Sequence, residues 1–288
     1  MASLKEIKSR IQSVKSTQKI TSAMKMVSSA KLRKAQRTIE NLFLYEQRLN
    51  GLLNNFLSAE EDTASAFAET REVKRVAIVV LSSNSSLCGS YNTNVSKRLS
   101  QTIDKYKQQG IENILVYPIG KKVTKASRKS GFEPQGNFDA MADKPSYIAA
   151  LTLADDIMRL FKNKDVDCVE LIYHHFKSKS TQVLTQETFL PIQLKPAEKG
   201  TVALDYIVEP DRETIMAELI PKVLRLKIYT ALLDSNASEH AARTMAMQMA
   251  TDNATDLLQE LSLQYNKSRQ QAITNELLDI IGGSFGQN

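Results

Sequence analysis

The chain has 288 residues, 42% of them hydrophobic, with a formal net charge of +6 and two cysteines. That apolar fraction suits a folded chain rather than a disordered one, and no run of about eighteen apolar residues is present to span a bilayer. The charge is divided: residues 1–56 carry eleven Lys/Arg against three Asp/Glu, whereas residues 211–288 carry seven against ten.

The start, MASLKEIKSR, lacks the apolar core of an export signal. Glu6 and the immediate heptad spacing favour a mature start over a transit peptide. The first glycine is Gly51 and the first proline Pro118, so nothing in the opening fifty residues breaks a helix. Fifty helical residues extend roughly 75 Å. Apolar and small residues fall on a 3.5-residue repeat through Leu4, Ile7, Ile11 and Val14, and again from Leu32 and Ala35 to Leu53 and Phe56. Between them the seam is polar, from Gln18 through Thr21 and Lys25 to Ser28. Such spacing predicts a left-handed coiled coil. Ala23, Met24, Met26, Val27 and Ala30 lie off the seam and are expected to point outward.

The middle reads as a small α/β domain over residues 73–209, between helical segments at 1–58 and 211–284. Arg75–Leu81 and Asn113–Ile119 are apolar, β-branched strands, as in a sheet covered on both faces. A helix ending near Gly110 follows the first strand, and Lys121–Lys129 and Ser146–Asn163 are further helices. Cys168–Phe176 and Thr181–Pro191 are predicted to form a hairpin. The alternation of strands and helices predicts a Rossmann-like sheet.

The turn after the first strand holds only Gly89, not the G-x-G-x-x-G that lets a backbone approach a pyrophosphate, and no G-x-x-x-x-G-K occurs. No nucleotide or other cofactor is expected. Neither catalytic nor metal-binding residues are expected: His174 and His175 point to opposite faces of a strand, and no Cys-x-x-Cys, H-E-x-x-H or G-x-S-x-G is present. His240 reads as a polar seam residue, Asp155 and Asp156 as helix-surface residues, and Cys88 and Cys168 as buried small hydrophobes.

From Lys222 to Ile281 there is again neither glycine nor proline. The seam of this second long helix runs Leu219, Val223, Leu226, Thr230, Leu233, Ala237, His240, Thr244, Met247, Thr251, Ala254, Leu258 and Leu261. Laid antiparallel with Leu4 against Leu261 and Leu32 against Leu233, the two helices match polar middle to polar middle. The fold expected is thus a Rossmann-like α/β domain plus a long antiparallel coiled coil of the two termini, a rod rising from a globule. The rival reading is a compact helical bundle, for which the middle supplies too little helix. In the expected register the last twenty or so residues have no partner within the chain. That bare apolar stretch, with Ala272, Ile273, Leu277, Leu278, Ile280 and Ile281, calls for another protein to cover it. A basic first helix also admits a coiled-coil nucleic-acid binder, and the sheet admits a Rossmann oxidoreductase; salt-sensitive DNA binding and equilibrium NAD or ATP binding discriminate them.

Three stretches resemble one known family. Ile7–Lys31 (IKSRIQSVKSTQKITSAMKMVSSAK), Leu87–Asn94 (LCGSYNTN) and Ala231–Ala254 with Leu263–Leu277 are similar to the gamma-subunit family of F-type ATP synthases. Gly89–Ser90 stands where that family usually has Gly-Gly. The resemblance implies a non-catalytic central-stalk rotor that turns inside a hexamer of alpha and beta subunits. Its globular end would sit, with an epsilon subunit, on a proton-driven membrane c-ring, peripheral on the cytoplasmic side of a bacterial inner membrane. By matching position it implies that Met24 and Lys25 face a beta subunit. Arg243, Arg269, Gln270 and Thr274 would meet the beta catch loops, and the tip from Ile273 to Ile281 would turn in an apolar bearing. It implies no nucleic-acid partner, no cofactor and no redox-switch insertion.

Overall fold

The computed structural model describes residues 3–58, 66–192, 209 and 211–285. In chain order they form α1 (Leu4–Ser58), β1 (Arg75–Leu81), α2 (Tyr91–Gln108), β2 (Asn113–Ile119), α3 (Lys121–Lys129), α4 (Asp139–Asp143), α5 (Tyr147–Lys162), β3 (Cys168–Phe176), β4 (Gln182–Leu190) and α6 (Arg212–Phe285). The short α4 was not foreseen; five residues are too few for helical periodicity to declare itself. Two compact units result. One joins Met1–Ser28 to Thr244–Asn288, and the other is Ser29–Arg243.

In the first unit α1 begins on a capping box. Ser3 Oγ accepts the Glu6 N–H while the Glu6 carboxylate accepts the Ser3 N–H. The predicted seam is the buried one: Ile7 and Thr21 are buried, Ile11, Val14 and Gln18 half-buried, and the positions between them exposed. On α6 the seam continues beyond Leu261, with Tyr265, Ser268 and Ala272 half-buried at the same spacing.

The antiparallel pairing holds, but its register differs from the one expected. Gln18 donates to Thr255 at 2.8 Å, Thr21 bonds Thr251 at 2.8 Å, and Lys25 donates to Gln248 at 2.9 Å. The expected register would have set Met247, Thr244 and His240 there. The slip is about one heptad. A seam that repeats every seven residues matches itself equally well after such a step, so apolar matching alone could not choose. The side-chain hydrogen bonds choose. The slip also lengthens the paired stretch, so the exposed end of α6 starts near Ile273.

In the second unit the sheet order is β2-β1-β3-β4, with β1 parallel to both β2 and β3 and β4 antiparallel to β3. Six consecutive β1 residues, Val76–Leu81, are buried, because the sheet is covered on both faces. Val76, Ile78, Val80 and Ile172 face Val95, Leu99 and Ile103 of α2, with Val123 of α3. Ala77, Val79, Leu81 and Leu171 face Ile157 and Phe161 of α5. At roughly 1.5–3 kcal/mol per fully buried aliphatic side chain, the buried residues of β1 stabilise the cores on both faces.

The second face also takes the long helices. Leu49 and Leu53 of α1 and Met216, Ile220, Leu224, Ile228 and Leu232 of α6 join its core. Farther along, Leu32 and Ala35 of α1 meet Ala237 and Ala241 of α6. Here α6 is more than one strand of a coiled coil: Ala231–Ser235 and Ala237–Ala241 are buried without a break. The sequence held the signal, since Ile220, Leu224, Ile228 and Leu232 form a second apolar row beside the heptad seam, as a helix covered on several sides requires.

Candidate partner interface

The crevice at the carboxyl ends of the strands, beside the point where chain order reverses between β1 and β3, is where an open α/β sheet usually takes a ligand. Here the chain fills it with its own helix. Leu232, Ser235, Asn236 and Glu239 of α6 line it with Leu81, Ser82, Tyr91, Ile119 and Ala142, leaving about 10 Å³. That is room for at most a water molecule. The loop floor is equally tight: a Cβ on Gly120, at φ 103°, would lie 2.5 Å from the Ser82 carbonyl oxygen.

The LCGSYNTN turn positions this contact. Asn92 donates to Ser83 Oγ and to Cys88 Sγ, and its carbonyl accepts the Ser83 N–H. The turn so held places Tyr91 at the start of α2, its ring stacked on His174 at 4.4 Å and its hydroxyl 2.6 Å from Ser235 Oγ. Burial pushes the Tyr91 hydroxyl far above its ordinary range. His174 is kept neutral for the same reason, its pKa lowered to about 4 by burial. His240 sits buried at its seam position with its pKa lowered to about 4, first by burial and then by Lys31 and Arg243.

His174 and His175 do part to opposite faces. His175 is exposed and bonds Asp234 at 2.6 Å. Asp155 pairs with Arg225 and Asp156 with Arg159, so both act as surface ion-pair partners of modest weight. A second cleft, polar and about 430 Å³, lies between α2 and the β3–β4 hairpin. Glu170 is buried on its floor, accepting from Tyr106 and Gln186. Among the described residues no cluster of His, Cys, Asp or Glu could hold a metal, and no helix is long and apolar enough to cross a membrane.

The expected contact residues fall into three sets. Met24 is half-buried, and Lys25 spends its ammonium on Gln248; the outward surface beside them is carried by Met26 and Val27, each more than half exposed. Arg269, Gln270, Ile273, Thr274, Leu277, Ile280 and Ile281 are all exposed. Beyond Ala272 no side chain up to Ile281 is covered, which leaves the five apolar residues there between 47% and 69% accessible. Arg243 is placed differently from these exposed residues. The residue is 8% exposed and its guanidinium is turned inward, donating to the Ser86 carbonyl, to Ser85 Oγ at 2.9 Å and to Glu239. A buried guanidinium needs such partners, and the turn after β1 supplies them. Sequence reading missed Met249 and Leu263, exposed apolar residues of α6 that lie off its seam; their off-seam positions were the available signal.

A family model described as ATP synthase matches residues 3–285. The chain is 62% identical to an ATP synthase gamma chain of Phocaeicola vulgatus over 99% of its own length and 100% of that protein's. It is 44% identical to one of Flavobacterium johnsoniae over the whole of both chains. Among solved structures it is similar to a chain of the Euglena gracilis mitochondrial ATP synthase. That match has a TM-score of 0.67 at 21% identity, covering 98% of this chain and 94% of that one. It is also similar to a chain of the Tetrahymena thermophila mitochondrial ATP synthase central stalk and c-ring, with a TM-score of 0.59 at 22% identity over 80% and 99% of the two chains.

Proposed function

The chain belongs to the gamma-chain family of ATP synthases, and from that membership we propose that it is the central-stalk rotor of an F-type enzyme. It couples rotation of a membrane c-ring to ATP synthesis at beta subunits, and itself carries no catalytic residues. Its partners are an alpha–beta hexamer around the coiled coil, and an epsilon subunit and the c-ring at the α/β domain. Its place is peripheral, on the cytoplasmic side of a bacterial inner membrane. Residues 1–58 and 211–284 supply the two coiled-coil helices and 73–209 the α/β domain, of which residues 1, 2 and 193–208 lie outside the described residues.

The observation that carries this reading is a match along the whole chain to gamma chains, combined with an apolar helix end that is exposed among the described residues. Exposed Ile273, Leu277, Ile280 and Ile281 form the bearing surface. Arg269, Gln270 and Thr274 meet the beta catch loops, and Met24 with Lys25 faces a beta subunit. Arg243, bonded inward, reaches a catch loop only by releasing Ser86 and Glu239. A rotor biases three chemically identical sites only through contacts that differ between them, and a shaft of two unequal helices presents such unequal faces.

The basic nucleic-acid-binding reading is set aside, because the relatives that match the full length are ATP synthase gamma chains. The experiment is affinity purification of the tagged chain in mild detergent. Alpha, beta, epsilon and c subunits are expected to come with it; recovery of the chain alone, or with nucleic acid, overturns the reading.

A further inference from the structure

The crevice filled by α6 is also a grip. Asp234 bonds His175 of β3 at 2.6 Å, and Ser238 donates to the His174 carbonyl at 3.1 Å. Ser235 takes the Tyr91 hydroxyl, and Asn236 donates to the Ala142 carbonyl of α4 at 3.0 Å. Arg243 closes on the turn after β1. At about 100° per helical residue, with Asp234 set at zero, Ser238 falls near 40°, Ser235 near 100°, Arg243 near 180° and Asn236 near 200°. Ala237 and Ala241, packed with Leu32 and Ala35 of α1, fall near 300° and 340°.

More than half of the circumference of α6 is therefore tied by directional bonds to separate pieces of the α/β domain, and only the remainder rests on α1. The two kinds of contact resist different motions. Small apolar side chains packed on one sector hold a helix against leaving but only weakly against rolling, because neighbouring packings differ little in buried area. Hydrogen bonds over an arc of roughly 200° lengthen at once on any roll, and bond energy falls steeply with lost alignment.

We propose that this polar collar, from Asp234 to Arg243, is the seat through which twisting load passes between the α/β domain and α6. The proposal rests on the rotor reading above. It makes Tyr91, Ser235, Asn236 and Ser238 positioning residues that hold the angular phase of the helix, and it gives the LCGSYNTN turn a mechanical role.

The test uses the complete complex, with its alpha–beta hexamer immobilised and a bead fixed to the α/β domain through Gln101→Cys, an exposed α2 position; Cys88 and Cys168 are both buried. Angular spread of the bead at a catalytic pause measures torsional stiffness. Asp234→Ala combined with Ser238→Ala is expected to widen the angular variance at least twofold, and to speed amide exchange in residues 232–243 of the purified chain about tenfold. Asp234→Asn, which still accepts from His175, is expected to keep the variance of the parent. Should the double variant fail to fold, Tyr91→Phe removes one hydroxyl and keeps the ring stack, with the same direction expected. Faster exchange with unchanged variance overturns the proposal while leaving the rotor reading standing. A parent complex that forms no hexamer or never turns overturns the rotor reading, and the proposal with it.

Discussion

Two buried histidines contribute to the loss of stability in acid. His174 and His240 both have pKa values lowered from 6.5 to about 4, chiefly by burial, so the folded state binds fewer protons there than the unfolded chain. Their contribution is complete above about pH 6.5 and is lost as the pH falls toward 4, up to roughly 3 kcal/mol for each. Lys31 and Arg243 deepen the effect at His240, and Asp143 opposes it. Buried Asp234 and Glu239 and half-buried Glu46, whose carboxyls are raised mainly by burial, act in the opposite sense, but only near the carboxylate range. The thermal midpoint is therefore expected to fall by several degrees between pH 7.5 and pH 5. His174→Phe, which keeps a ring against Tyr91, should make that fall shallower; an unaltered pH profile in the variant would count against this account.

At the scale of the helices, the coiled coil shows how much a periodic sequence can and cannot say. The seam positions on α1 were legible residue by residue, from Ile7 to Leu53, because a two-stranded contact imposes its period on every turn. The register was not, because sliding by one heptad exchanges like for like. Gln18, Thr21 and Lys25 decide it through bonds to Thr255, Thr251 and Gln248. Such polar pairs in a seam are a known means of setting register. A disulfide between Gln18→Cys and Thr255→Cys is expected to form readily under mild oxidation. The pair Gln18→Cys with Met247→Cys should not close, and the reverse result would restore the register first expected. Likewise β1, β2, β3 and β4 were readable as strands, while α4 was too short to leave a periodic trace.

On the scale of the whole molecule, the end of α6 beyond Ala272 groups five exposed apolar residues within nine positions, Ile273 to Ile281. Replacing Ile280 and Ile281 by Asp alters only exposed positions, so the thermal midpoint of the isolated chain should move by less than about one degree. If the tip turns in an apolar socket, each Asp would instead be driven into a desolvated site, and binding to an alpha–beta hexamer should weaken tenfold or more. Equal affinity of parent and variant would show that the tip is not held there.

Sequence by itself determined the elements, the heptad seam, the parallel core of the sheet and the bare apolar end, since each is written in local composition and period. The family likewise was legible, in motifs such as ITSAMKMVSSAK and LCGSYNTN. Tertiary structure decided the coiled-coil register, the inward turn of Arg243 and the filling of the strand-end crevice by α6. Those outcomes depend on which polar groups meet across 140 or more residues of chain, as Tyr91 meets Ser235 and Ser86 meets Arg243. Periodicity places a residue on a face; only the partner brought opposite fixes what that face does.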